Sequence, residues 1–182
     1  MIILINGTYG VGKSSVSKEI QRQIENGKVR LFDPDGFYQD IKKEIFYDII
    51  LNGGGVNPQN NISFLNRVKK ELKVFMNKEI MCIVPMAVTT KESLEIIWKY
   101  LYTNEKEFCH FILDADESAI TERIVSDIER KQKELALDEL HSNVIFLKSN
   151  FEDAIRIDTN HKKVEEVAHE IIHIIKLKYF MK

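Results

Sequence analysis

The sequence predicts an α/β fold in which a parallel β-sheet is covered by helices on both faces. Three observations carry that expectation. Short apolar runs that read as strands alternate with stretches whose apolar residues recur every three or four positions. The first strand runs straight into Gly7-Thr8-Tyr9-Gly10-Val11-Gly12-Lys13-Ser14, a glycine-rich turn that opens a helix. The chain's 182 residues, 44% of them hydrophobic, suffice for one substantial core and not for two comfortable domains, so residues 1–182 are read as a single domain.

Ile2-Ile3-Leu4-Ile5-Asn6 supplies the first strand, and Val16, Ile20 and Ile24 mark the first helix, with Gly27 as its stop. Between them, Gly-x4-Gly-Lys-Ser reads as a P-loop. Glycines let the backbone curl until several N–H groups point at one phosphate chain with no side chains in the way. The helix N-terminus adds its polarity to that anion site. Lys13 then reaches the β- and γ-phosphates of a nucleotide, and the Ser14 hydroxyl can hold Mg2+ on the same oxygens, with Ser15 the weaker metal candidate. Gly7, Thr8, Tyr9, Gly10, Val11 and Gly12 complete the candidate nucleotide contacts. The alternative is a glycine-rich turn with an ordinary exposed lysine, against which the strand-turn-helix context argues.

Val29-Arg30-Leu31-Phe32 reads as the second strand, ended by Asp33-Pro34-Asp35-Gly36. Ligands of open parallel sheets bind at the carboxyl ends of strands, so Asp33 and Asp35 can serve a metal and an acceptor hydroxyl; a Pro-Asp-Gly turn with solvated acids is the other reading. A helical insertion follows, with Ile41, Ile45 and Ile49 on one stripe and Phe37 and Tyr38 as pocket candidates. It breaks at Gly53-Gly54-Gly55-Val56-Asn57-Pro58, the expected hinge. A helix from Ser63 to about Lys78 carries Phe64, Val68, Leu72 and Phe75.

Ile80 to Val84 is the third strand, and Thr89-Thr90-Lys91-Glu92 contains a capping-box pattern opening a helix through Trp98 to Tyr102. Phe108 to Leu113 is the fourth strand; Asp114 at its end is equally a metal-side acid or a helix-approach residue. Asp116 is expected to cap a helix that turns Ile120, Ile124 and Ile128 inward and places Arg123, Arg130 and Lys131 among its polar positions, where cations reach phosphates. One more helix covers about Leu137 to Asn150, Ala154 to Ile157 forms the last strand before Asp158-Thr159-Asn160, and a final helix runs from about Lys163 to Leu177.

A net charge of −2 gives no basis for a nucleic-acid or anionic-membrane partner. No apolar stretch approaches the roughly 20 residues of a spanning helix, and the N-terminus lacks a basic leader, so a soluble cytoplasmic protein is expected. Cys82 and Cys109 sit in apolar strands as small buried hydrophobes. His169-Glu170-Ile171-Ile172-His173 matches a zinc-protease motif, but helical spacing turns both histidines away from the apolar stripe and no third ligand follows. A GTPase would need a guanine-reading Asn-Lys-x-Asp, which Asn77-Lys78-Glu79-Ile80 does not supply. A non-catalytic ATP-binding sensor or toxin-binding protein is the alternative to an enzyme.

With these residues in place the chain resembles the adenylate-kinase-like P-loop kinases, and within them the tunicamycin-resistance ATP-binding proteins. The similarity rests on Ile5-Asn6-Gly7, Phe32-Asp33-Pro34-Asp35-Gly36-Phe37, Val84-Pro85-Met86, Leu113-Asp114-Ala115 before Glu122-Arg123-Ile124, and Asp158-Thr159-Asn160. It implies a P-loop NTPase fold with a five-stranded parallel sheet in the order 2-3-1-4-5, an acceptor-binding insertion at about 36–62 and a small lid at about 123–140. It further implies ATP- and Mg2+-dependent phosphoryl transfer to a small molecule by a monomer or homodimer, with a nucleoside-like antibiotic as one acceptor class. Catalytic roles then fall to Lys13, Asp33, Asp35 and Arg123, with metal held by Ser14 and Asp33. Arg123 goes to the ATP phosphates or adenine, and Asp158, Thr159 and Asn160 lie beside the adenine. Kinases of this group often carry a second arginine four residues on; that position is Asp127, leaving Arg130 to replace it.

Overall fold

In the computed structural model of the chain, which describes residues 1–24, 29–36, 43, 46, 57–130 and 132–180, five parallel strands form one sheet in the order β2-β3-β1-β4-β5. They are β1 (Ile2–Asn6), β2 (Val29–Leu31), β3 (Met81–Pro85), β4 (Phe108–Asp114) and β5 (Ile155–Asp158). The expected order is thus the observed one. β1 and β3 are buried along their whole length, as strands covered on both faces must be. Residues of β1 alternate between two cores: Ile3 and Ile5 pack on one face, Ile2 and Leu4 on the other.

Helices α1 (Lys13–Gln23), α4 (Glu117–Ser126) and α7 (Val164–Ile175) cover the first face, and α2 (Ile62–Leu72) with α3, continuous from Lys91–Ser93 through Leu94–Trp98 to Lys99–Asn104, covers the second. The short α5 (Lys133–Asp138) and α6 (Leu140–Asn150) close the far edge. Register aligns the carboxyl ends: Ile5 sits opposite Pro85 and Phe111. Pro85 is tolerated beside a central strand because β2 pairs only as far as Leu31 opposite Ile83, so no ladder bond is lost there. That shared edge is where the P-loop, the chain leaving β3 and the loop after β4 meet.

Several expectations needed correction. Ile128 does not point inward: α4 ends at Ser126, Asp127 leaves helical geometry, and Ile128 is 95% exposed while Ile120 and Ile124 are buried. Asp116 begins α4 but makes no side-chain cap. The capping box of α3 lies one residue later than the sequence pattern, between Thr90 and Ser93. Leu94–Trp98 within it is a π-helical turn. The stretch read as one helix over 137–150 breaks between Asp138 and Leu140. α2 stops at Leu72 because the next residues tighten into i→i+3 turns that bring Phe75 against Phe32, 6.0 Å between rings. The helical stripe of Ile41, Ile45 and Ile49, the pocket candidates Phe37 and Tyr38, the glycines 53–55, Gly27 and Lys131 lie outside the described residues.

Cys82 and Cys109 are buried free thiols, as expected. His169 and His173 are exposed on α7, and no group of metal-ligating side chains occurs among the described residues. No described helix is long and apolar enough to cross a membrane.

Candidate active site

β1 ends in Asn6, whose fully buried side chain fastens two segments together. Its Oδ1 accepts the backbone N–H groups of Gly7 and Val88, each at 2.8 Å, and its Nδ2 donates to Val88 O at 3.4 Å. Beneath it lies His110, with Nε2 3.2 Å from Asn6 Nδ2 and Nδ1 accepting the Trp98 indole N–H at 2.9 Å. Burial, with a smaller contribution from Arg156, pushes the His110 pKa down to about 3, so the ring is neutral at ordinary pH.

The loop itself bends as the glycines require. Gly10 has φ 77° and a Cβ there would stand 2.5 Å from Cγ1 of Ile124. Only glycine accepts both the angle and the contact. Gly12, φ 102°, has nothing within 4 Å of its missing Cβ and begins α1 without a side-chain cap. The first N–H groups of α1 thus have no side-chain cap, and an uncapped helix start is an arrangement an anion can occupy. Lys13 Nζ donates to Thr8 O at 2.7 Å, folded back across the loop. Burial lowers its pKa to about 8 against the opposing pull of Asp35. Ser14 is half-buried at the helix start and Ser15 is exposed, which favours Ser14 for a metal.

Asp33 and Asp35 separate in role. Asp33 Oδ1 accepts the Asp35 N–H at 3.0 Å, capping the helical turn at Pro34, Asp35 and Gly36. Asp35 lines a narrow cleft with Tyr9, Lys13, Pro34, Pro58, Gln59, Phe64, Met86 and Ala87. Loss of solvent raises its pKa first; Lys13 and Arg130 pull it down and Asp33 pushes it up. Arg130 is thus close enough for its charge to act on both Lys13 and Asp35, while its own Nε stands 3.5 Å from Asp127 Oδ2 without a hydrogen-bond partner. Lys13 and Asp35 line one cleft, and the charge of Arg130, outside its lining, reaches both. The uncapped start of α1 could take the phosphate chain of a nucleotide, and Mg2+, which characteristically takes one or two carboxylates beside phosphate oxygens, could draw on Ser14 and the two aspartates.

Arg123 is committed elsewhere: its guanidinium donates to Thr159 Oγ1 at 3.0 Å and Thr159 O at 2.7 Å. Thr159 N–H in turn bonds Asp114 O at 2.8 Å, Asn160 Oδ1 accepts the Asp116 N–H at 3.1 Å, and Asp158 Oδ1 accepts the Asn160 N–H at 2.9 Å. The structure so brings Arg123 and residues 158–160 together. The Asp114 carboxylate faces Arg156 at 3.6 Å and the Ala115 N–H at 3.1 Å, and it does not line the cleft.

Sequence reasoning missed the residues that build the opposite wall. The Thr89 hydroxyl bonds Gln59 Oε1, the Gln59 amide donates to the Tyr9 hydroxyl, and the Thr90 hydroxyl donates to Gln59 O at 2.8 Å. Burial, then the charge of Glu139, push the Tyr9 hydroxyl pKa up to about 12, so it stays protonated. The one available signal was Asn6, a polar residue ending an otherwise apolar central strand.

No protein-family model and no curated protein matches the sequence. Solved structures do match the fold. A tunicamycin resistance protein of Deinococcus radiodurans aligns over 96% of this chain and 94% of its own at 21% identity, TM-score 0.71. A gluconokinase from Sinorhizobium meliloti aligns over 99% and 96% at 15% identity, TM-score 0.64. The Mycobacterium tuberculosis APS kinase, solved with AMPPNP and APS, aligns over 96% of both chains at 14% identity, TM-score 0.64. The chain has the fold of the P-loop kinases. The five-stranded order 2-3-1-4-5 expected for this chain is the one observed, in a fold these structures share.

Proposed function

We propose that the chain is an ATP- and Mg2+-dependent phosphotransferase acting on a small molecule. The observation that carries this reading is that Lys13 and Asp35 line one cleft beside the uncapped start of α1, with the charge of Arg130 acting on both. Phosphoryl transfer asks little covalent chemistry of the protein and depends on positioning and charge. The N–H groups at the start of α1 hold the phosphate chain. Lys13 gives up Thr8 O for the β/γ-phosphates, where its charge is better used. Mg2+, held by Ser14 and a nearby aspartate, would neutralise phosphate charge. Asp35 orients the acceptor hydroxyl and takes its proton. Arg130, rather than Arg123, answers the charge that develops on the transferred group; Arg123 instead braces the loop of Asp158 to Asn160 beside the adenine.

The walls of the cleft are mostly apolar, with Pro34, Pro58, Phe64, Met86 and Ala87 facing Asp35. That suits an acceptor that brings a hydroxyl on an apolar or planar body, and a nucleoside-like antibiotic of the tunicamycin kind is the acceptor class we favour, in a cytoplasmic monomer or homodimer. The test is transfer of labelled γ-phosphate from ATP to a panel of tunicamycin, nucleosides and sugars. Labelled acceptor that disappears with Asp35→Asn supports the kinase. Tight binding of ATP and acceptor together with no labelled product from the whole panel points to a sensor.

A further inference from the structure

Asn57 joins parts of the cleft that the sequence holds far apart. Its Oδ1 accepts the Tyr9 hydroxyl at 3.3 Å and the Gln59 N–H at 3.1 Å; its Nδ2 donates to both carboxylate oxygens of Glu139, at 2.8 and 3.0 Å. The donors run in one direction: Thr89 hydroxyl to Gln59 Oε1, Gln59 amide to Tyr9 oxygen, Tyr9 hydroxyl to Asn57 Oδ1, Asn57 amide to Glu139. Hydrogen bonds in such a chain polarise one another, and the last, to a carboxylate, is charge-assisted. Its members come from the P-loop, the turn Pro58–Asn60, the chain leaving β3 and the junction of α5 with α6. Glu139 stands at the end of the segment that also carries Arg130.

We propose that Asn57 and Glu139 are positioning residues: their amide-carboxylate pair clamps the segment 123–140 to the P-loop and so sets where Arg130 stands relative to Lys13 and Asp35. The proposal rests on the kinase reading of the site. Its chemistry has a fixed polarity, because Oδ1 of Asn57 already takes two donors and only its amide nitrogen can face Glu139. An acid of the same size at position 57 keeps the bonds to Tyr9 and Gln59 but sets like charge against Glu139.

Asn57→Asp tests this, with Asn57→Asp/Glu139→Gln as the polarity swap in which the new amide donates to the new acid. Hydrogen exchange across 123–140 should speed up in the single variant and return towards the wild type in the double. Dissociation constants for Mg-ATP should stay within about threefold in both, since the P-loop holds the nucleotide, while ATP turnover falls about tenfold in Asn57→Asp and largely recovers in the double. Unchanged exchange and turnover in Asn57→Asp, or a folded double variant as poor as the single one, would overturn the clamp. Should the double variant melt early, Glu139→Gln, which keeps an acceptor oxygen, must retain more turnover than Glu139→Ala; equal losses overturn it too. A wild-type protein that binds no Mg-ATP would remove the kinase reading instead, leaving the exchange result to decide the clamp alone.

Discussion

Lys13 and the start of α1 are held by chain neighbours, with Lys13 folded onto Thr8 and α1 beginning after Gly12, whereas the facing wall is held by bonds that span the chain, Thr89 to Gln59, Asn57 to Glu139 and, joining it to the P-loop, Tyr9 to Asn57. The first kind of contact costs little chain entropy to form and needs only its own strand and helix. The second exists only when the whole sheet edge has assembled. A nucleotide site built the first way tolerates damage to the second, so binding and transfer should separate on mutation.

The sharpest way to break that separation is at Asp35. Asp35→Asn preserves size and the turn capped by Asp33, so thermal stability and ATP affinity should hold within a few-fold while acceptor-dependent turnover falls by roughly 10² or more. Normal turnover with the true acceptor would make the carboxylate a turn residue and join the two walls in one role. Arg130→Ala comes next. Turnover should fall about 30-fold with little change in nucleotide affinity, less than a transition-state arginine can supply because Asp127 shares its charge. If Arg123→Ala abolishes turnover and Arg130→Ala leaves it unchanged, the assignment of the two arginines is reversed.

A smaller effect reaches both walls at once, through Asn6, which holds Gly7 and Val88 together above His110. Burial lowers the folded His110 pKa from 6.5 to about 3, so the unfolded chain binds the extra proton as pH falls below 6.5. Stability from the neutral ring is complete above that value and is lost on acidification, by up to about 1.4 kcal/mol per pH unit between pH 6.5 and 5. Chemical unfolding followed by the fluorescence of Trp98, the sole tryptophan, measures it. His110→Phe should flatten that slope; an unaltered slope would place the titrating group elsewhere.

The same contrast explains what the sequence made legible. The P-loop is an unbroken string of residue types in a set order, and the parallel sheet follows from strands alternating with helices, whereas the order 2-3-1-4-5 comes from the resemblance. Asp35 could be picked out from the strand end, and the structure sets it in the cleft lining. Asn57 reads in sequence only as part of a hinge, Thr89 only as part of a capping pattern, and Gln59 and Glu139 as ordinary polar residues; their meaning arises from which segments the sheet edge brings together, and no periodicity records that. Ile128 failed for a related reason, since a four-residue stripe predicts burial only while the helix lasts, and α4 ends before it.

The most direct test of the account is calorimetric titration of Mg-ATP into the protein at pH 8, in buffers of different ionisation enthalpy. With the Lys13 pKa near 8, about half of the lysines are uncharged before binding, and the phosphates should restore the charge. Mg-ATP should bind more tightly than Mg-GTP, with uptake of roughly half a proton per nucleotide, both affinity and uptake dropping sharply in Lys13→Ala. Absence of Mg-ATP binding, or the same affinity and proton uptake in Lys13→Ala, would contradict it.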